Sequence, residues 1–113
     1  MTDAATVLER EETLEAAAKE AINTALRANN GAAVANAFDT LSDVNARHLF
    51  FEFDGETQDR ILSIAAPDWA ALFLEPLPPL ELAFLLERLE PGIAADIIDE
   101  FDSSVAAEVI EAL

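Results

Sequence analysis

Residues 90 to 101 read "EPGIAADIIDEF" and residues 102 to 113 read "DSSVAAEVIEAL", and the two align without a gap. Followed backwards, the twelve-residue period reaches Asn30 and divides the chain into seven units beginning at residues 30, 42, 54, 66, 78, 90 and 102. A fixed internal period constrains a fold more than any composition does, because each unit must then adopt the same local structure. Position eight reads Ala37, Leu49, Ile61, Phe73, Leu85, Ile97 and Val109, and position nine reads Phe38, Phe50, Leu62, Leu74, Leu86, Ile98 and Ile110. Position twelve carries Leu41, Phe53, Ala65, Leu77, Leu89, Phe101 and Leu113, and position five carries Val34, Ala46, Gln58, Ala70, Leu82, Ala94 and Ala106, where only Gln58 is polar.

Positions five, eight, nine and twelve stand as i, i+3, i+4 and i+7, which is one stripe of an α-helix and both faces of a strand. The unit starts agree: Asn30, Ser42, Asp54 and Asp102 are N-cap types, and Pro67, Pro79 and Pro91 fall where a first helical turn accepts proline. Each unit is therefore read as a short helix and a tight link, with helices near 31–40, 43–53, 55–65, 67–75, 79–89, 91–101 and 103–112. A helix of about ten residues is marginal alone, so its stripe must be covered by neighbours, and stacked helices form an α-solenoid. Before the repeats, Ala4 to Ala28 is rich in Ala, Glu and Leu with no Pro or Gly, which predicts one long helix. Its interrupted apolar face is Val7, Leu14, Ala18, Ala21, Ile22, Ala25 and Leu26, and "NNG" at 29–31 ends it. The expected organisation is one all-α domain. Residues 1–29 form an N-terminal helix capping the stack, and residues 30–113 form the seven-unit helical repeat.

With 113 residues and 52% apolar content the chain can bury a core. Cysteine is absent, which removes disulfides, thiolate metal sites and cysteine nucleophiles together. Acidic residues number 23 against 6 basic ones, for a net charge of −17. Nucleic acid and anionic membranes are repelled by such a chain, whereas cations and basic partners are attracted. Asp68, Glu75, Glu81 and Glu87 interrupt the most apolar region, so no run approaches the roughly 18 residues of a membrane span. His48 stands alone beside Leu49 and Phe50 and is expected to be a half-buried packing residue. No nucleophilic triad or phosphate loop can be drawn, and no enzyme activity is expected.

The phrase "LPPLELAFLLERLEPGIAADIIDEFDSSVAAEVIEAL", residues 77 to 113, resembles the cytoplasmic N-terminal domain of MgtE-type magnesium transporters. That domain repeats a pattern of the form "L-x-P-x-x-A-A-x-h-h-x-x-L", matched here by Pro91, Ala94, Ala95, Ile97, Ile98 and Phe101. The resemblance covers about residues 20 to 113. It implies a right-handed superhelical, armadillo-like stack of short helices, distantly similar to domains of the flagellar switch protein FliG. It also implies a regulatory role: the domain packs against CBS domains when Mg2+ is plentiful and moves away when it is scarce, so that the pore opens. The implied partners are the CBS domains and transmembrane domain of the same transporter, working as a homodimer on the cytoplasmic side of the membrane, with this segment itself soluble. As no CBS domain or membrane helix follows Leu113, the chain is read as an excised regulatory domain, with a standalone relative as the alternative.

Acidic placement bears on that role. Asp39, Glu52, Glu75, Glu87, Asp99, Glu100 and Glu111 occupy positions ten or eleven, in the last helical turn, where the helix dipole disfavours them by about 0.3 to 1 kcal/mol each. In the family the interfacial Mg2+ ligands lie late in the domain on a "D-D-x-A-D" helix. The nearest match is "GIAAD", Gly92 to Asp96, with Glu108 at the same unit position one repeat later. The expected metal face is Asp96, Asp99, Glu100, Asp102 and Glu108, binding Mg2+ weakly and sharing it with the partner domains. The alternative is an armadillo-like scaffold or adaptor without a metal role. Leu72, Phe84 and Leu80 fall off the stripe; they are expected to be covered on two sides in mid-stack, the other reading being an exposed partner-binding patch.

Overall fold

The computed structural model describes the backbone of residues 3–113 and the side chains of residues 13–113. Eight α-helices account for the described chain, with no strand among them: α1 (Asp3–Arg27), α2 (Gly31–Asp39), α3 (Asp43–Glu52), α4 (Gly55–Ile64), α5 (Pro67–Leu74), α6 (Pro79–Glu87), α7 (Pro91–Asp99) and α8 (Ser103–Ala112). The all-α reading and all eight helices hold, with ends shifted by one or two residues. By internal packing the chain divides into two compact units, residues 1–54 and 55–113.

In the first unit α1 lies along α2 and also meets α3. Ala18, Ile22, Ala25 and Leu26 form its buried stripe at i, i+4, i+7 and i+8. Leu14 is 48% exposed and Ala21 is also exposed, so the buried stripe of α1 is narrower than expected; the side chain of Val7 lies outside the described residues. The helix ends in a Schellman motif. Asn29 takes the left-handed conformation at φ 53°, the Asn29 amide donates to the Leu26 carbonyl at 3.1 Å, and the Asn30 amide donates to Ala25 at 2.9 Å. Asn30 then caps α2, its Oδ1 accepting from the Ala33 amide at 3.1 Å. Asparagine thus serves both the stop and the next start. Phe38 of α2 and Phe50 of α3, both buried, meet with ring centroids 6.4 Å apart.

The repeat is visible in the backbone of both units. The amide at position five donates to the carbonyl at position one in Val34, Ala46, Ala70, Leu82, Ala94 and Ala106, at 2.8 to 3.2 Å. At the other end, the amide at position twelve donates to the carbonyl at position nine in Leu41, Phe53, Leu77, Leu89, Phe101 and Leu113, at 2.9 to 3.3 Å. These i to i−3 bonds tighten the last turn and satisfy a carbonyl that a helix end would leave orphaned. Proline supplies the starts of α5, α6 and α7, whose N-caps Ala66, Pro78 and Glu90 make no side-chain cap bond. Placed at the first helical position, proline removes one of the amides that would need a partner.

In the second unit α5 packs on α7, and α6 on both α7 and α8. Short helices are therefore covered largely by helices two units along, as in a helical repeat stack. Ile61, Leu62, Leu74, Leu85, Leu86 and Ile97 are buried, as Phe50 is in the first unit. Phe73 and Ile98, expected in the core, are half-buried. Phe73 instead stacks on Trp69 one turn earlier, with centroids 4.8 Å apart. Burial fades toward the last helix, where Ile110 is 58% and Leu113 51% exposed although both occupy stripe positions. Truncating Leu86 to Ala is expected to cost about 2 to 5 kcal/mol in urea denaturation, because the site is fully enclosed. The same truncation of Ile110 is expected to stay within about 0.5 kcal/mol.

Candidate functional site

Asp96 and Asp99 sit three residues apart on α7, Glu100 follows as its C-cap, Asp102 is the N-cap of α8, and Glu108 lies farther along α8. All five side chains are exposed. Asp99 and Glu100 occupy the end of α7 where the backbone carbonyls point outward, and no basic residue stands in that last turn. The Asp102 carboxylate makes no cap bond to α8, although aspartate at that place commonly does. Six residues of helical rise separate Glu108 from Asp102, about 9 Å along the axis. Asp99, Glu100 and Asp102 thus flank the α7–α8 link in sequence, and Asp96 and Glu108 stand six residues before and after Asp102. Among the described residues no three His, Cys, Asp or Glu side chains converge as a group able to hold a metal ion. What this donor set can offer Mg2+ is one or two carboxylates toward an ion that keeps most of its water.

The acidic bias at helix ends is general. None of the helices α2 to α8 carries a basic residue in its last turn. The C-cap of α6 is Arg88, and its guanidinium faces a partner twenty-nine residues back in sequence. Its Nε donates to Asp59 Oδ1 at 3.0 Å, and Nη2 lies 2.8 Å from the same oxygen, 3.1 Å from the Gly55 carbonyl and 3.3 Å from Gln58 Oε1. Gln58, the one polar residue at position five, is 8% exposed. Its burial is explained by this contact, since a buried amide oxygen without a donor is costly. A Cβ at Gly55 would lie 3.3 Å from Nη2, so glycine leaves room for the guanidinium. The sequence carried a signal for this clamp: a lone polar residue on the stripe and, thirty residues later, an arginine among acids.

Two expectations about side chains are corrected. His48 is exposed, not half-buried. It occupies position seven, opposite the stripe, so its apolar neighbours in sequence turn inward while it turns out. Leu72, Leu80 and Phe84 are 71%, 75% and 64% exposed, not covered. Position seven points to solvent in every unit, at Asn36, His48 and Arg60 as at Asp96 and Glu108, and mid-stack placement does not change that.

The family model for the MgtE intracellular N domain matches residues 19–113. The chain belongs to that family. It is a domain of magnesium transporters, a family of non-enzymes, and the match covers all seven repeat units and about the last third of α1. Comparisons with curated proteins and with solved structures gave no match. Among the described residues of this MgtE N domain no helix is long and apolar enough to cross a membrane.

The Arg88 clamp yields a stability prediction. The ion pair is about one-third exposed on each side, which limits its own worth to roughly 1 kcal/mol or less. Arg88→Met is nonetheless expected to cost about 1 to 2 kcal/mol, because it also removes the Nη2 hydrogen bond to the buried Gln58 Oε1. In the Gln58→Leu background the loss should fall to the ion-pair share, and 1 M salt should shrink it further. Urea denaturation of the double-mutant cycle measures both.

Proposed function

We propose that this MgtE N domain is a cytosolic regulatory domain that senses Mg2+ at an interface with CBS domains of its transporter and so gates the pore. The observation that carries the reading is the family match over residues 19–113, joined to the exposed carboxylates Asp96, Asp99, Glu100 and Asp102 around the α7–α8 link. Mg2+ would be shared: one or two carboxylates from this face, with the rest of the shell from water and the partner. Glu108 would contribute from a separate patch of α8. Binding to the isolated domain is then weak, in the millimolar range, where an ion gains about 4 kcal/mol.

The sign of the electrostatics makes this a switch. Acids facing an acidic partner repel when the ion is absent, and Mg2+ between them reverses the interaction, so the ion favours the docked state by binding it better than the undocked one. In the full-length transporter the arrangement is read as a homodimer on the cytoplasmic side of the membrane. Small-angle scattering of the intact cytosolic region, with its downstream domains, should show compaction as Mg2+ rises through the millimolar range. Asp96→Asn, Asp99→Asn and Glu100→Gln together should move that transition to higher Mg2+. Unchanged compaction in the triple variant removes these residues from the mechanism, and no Mg2+ response in the parent favours the armadillo-like scaffold.

A further inference from the structure

The solvent side of α6 is apolar at its centre. At 100° per residue, Leu80 and Phe84 lie 40° apart and face away from the buried Leu82, Leu85, Leu86 and Leu89. They are 75% and 64% exposed in the middle of the repeat, where both flanking helices are present. At position seven five other units carry Asn36, His48, Arg60, Asp96 and Glu108, so the packing of the repeat does not require an apolar residue there. The free charges of the rim are acidic. Glu87 shares the face with Leu80 and Phe84, and Glu81 flanks it, both exposed. Arg88, whose guanidinium carbon lies 5.7 Å from the Phe84 ring centroid, is engaged by Asp59 at 2.8 Å. The whole second unit holds 13 acidic residues against 2 basic ones.

An apolar centre with a charged rim is the anatomy of a protein-binding patch. From it we infer that the outer face of α6 is a docking surface for a cationic amphipathic segment, a helix whose apolar residues cover Leu80 and Phe84 while its Lys or Arg residues meet Glu81 and Glu87. Charge complementarity selects this occupant. A second copy would bring another net −17 against the same rim, and an anionic lipid surface would be repelled alike. The inference does not depend on Mg2+ binding at the α7–α8 link.

The probe is a fluorescein-labelled helical peptide of Leu and Lys, with leucines at i, i+3, i+4 and i+7, followed by anisotropy at about 0.15 M salt. Binding should weaken about tenfold in Leu80→Ser and in Phe84→Ser, the size of effect expected of central apolar anchors. Val44→Ser, at a 72% exposed apolar site in the first unit, should leave it unchanged. Equal binding by the wild type and both α6 variants overturns the proposal. So does equal affinity for a peptide that keeps the lysines and replaces the leucines by glutamine, since charge alone would then suffice. Self-association in sedimentation equilibrium that Phe84→Ser abolishes would assign the face to a second copy, and vesicles of phosphatidylglycerol bound through Phe84 would assign it to lipid; either overturns the cationic segment.

Discussion

A helix of eight to ten residues has too few internal hydrogen bonds to hold itself, and everything in this domain follows from that deficit. Each repeat helix persists because its stripe at positions five, eight, nine and twelve is covered by other helices, in the second unit mainly by those two units along. The covering helix is bound by the same condition. Stability is therefore passed from neighbour to neighbour, and the place where coverage ends is visible: Ile110 and Leu113 occupy stripe positions in α8 and lie more than half exposed. The two recurring backbone bonds, from position five to one and from twelve to nine, are each made in six of the seven units and bring the stripe round in the same place there.

Because the inward positions answer to neighbours, they were legible in the sequence. Apolar residues at positions eight and nine located the helices, and Asn30, Ser42 and the three N-terminal prolines located their starts. What was not legible depended on side chains far apart in the chain or on coverage at the ends. Gln58 looked like a lapse in the pattern and is instead the acceptor for Arg88, thirty residues away. Ile98 matched the stripe as well as Ile97 does, yet only Ile97 is fully enclosed, because few helices follow α7 to close over it. Leu72 and Phe84 misled in the opposite direction: their apolarity suggested cover, while their position in the unit, shared with His48 and Asp96, correctly points outward.

The acidic residues carry a second argument, about how a stack of this kind can meet a cation. Carboxylates at the last turn of a helix add to the negative end of its dipole, and no basic residue in the last turns of α2 to α8 offsets them. Such a surface is a field of negative potential, and among the described residues its acids form no group of three able to hold a metal ion. The sequence indicated the residue types at the α7–α8 link. It did not show that Asp102 leaves the cap of α8 unmade, or that no three of these acids come together among the described residues. A sensor built on these residues has to borrow geometry from the surface it docks against.

Repetition separates fold from function within each unit. Four positions of the twelve are committed to the neighbours, and one, position seven, faces water in all seven units whatever residue it holds. Substitution there is nearly free of folding cost, so the residue found reflects what the outer surface meets: Arg60 on α4, Leu72 on α5, Phe84 on α6, Asp96 on α7, Glu108 on α8. An exposed phenylalanine contributes little to a stack that folds as well around Asp96, and an aspartate contributes nothing to a core it never enters. The outer faces of α6 and α7 therefore differ in chemistry, with Leu80 and Phe84 exposed on one and Asp96 on the other, while the stripe that holds each helix stays the same.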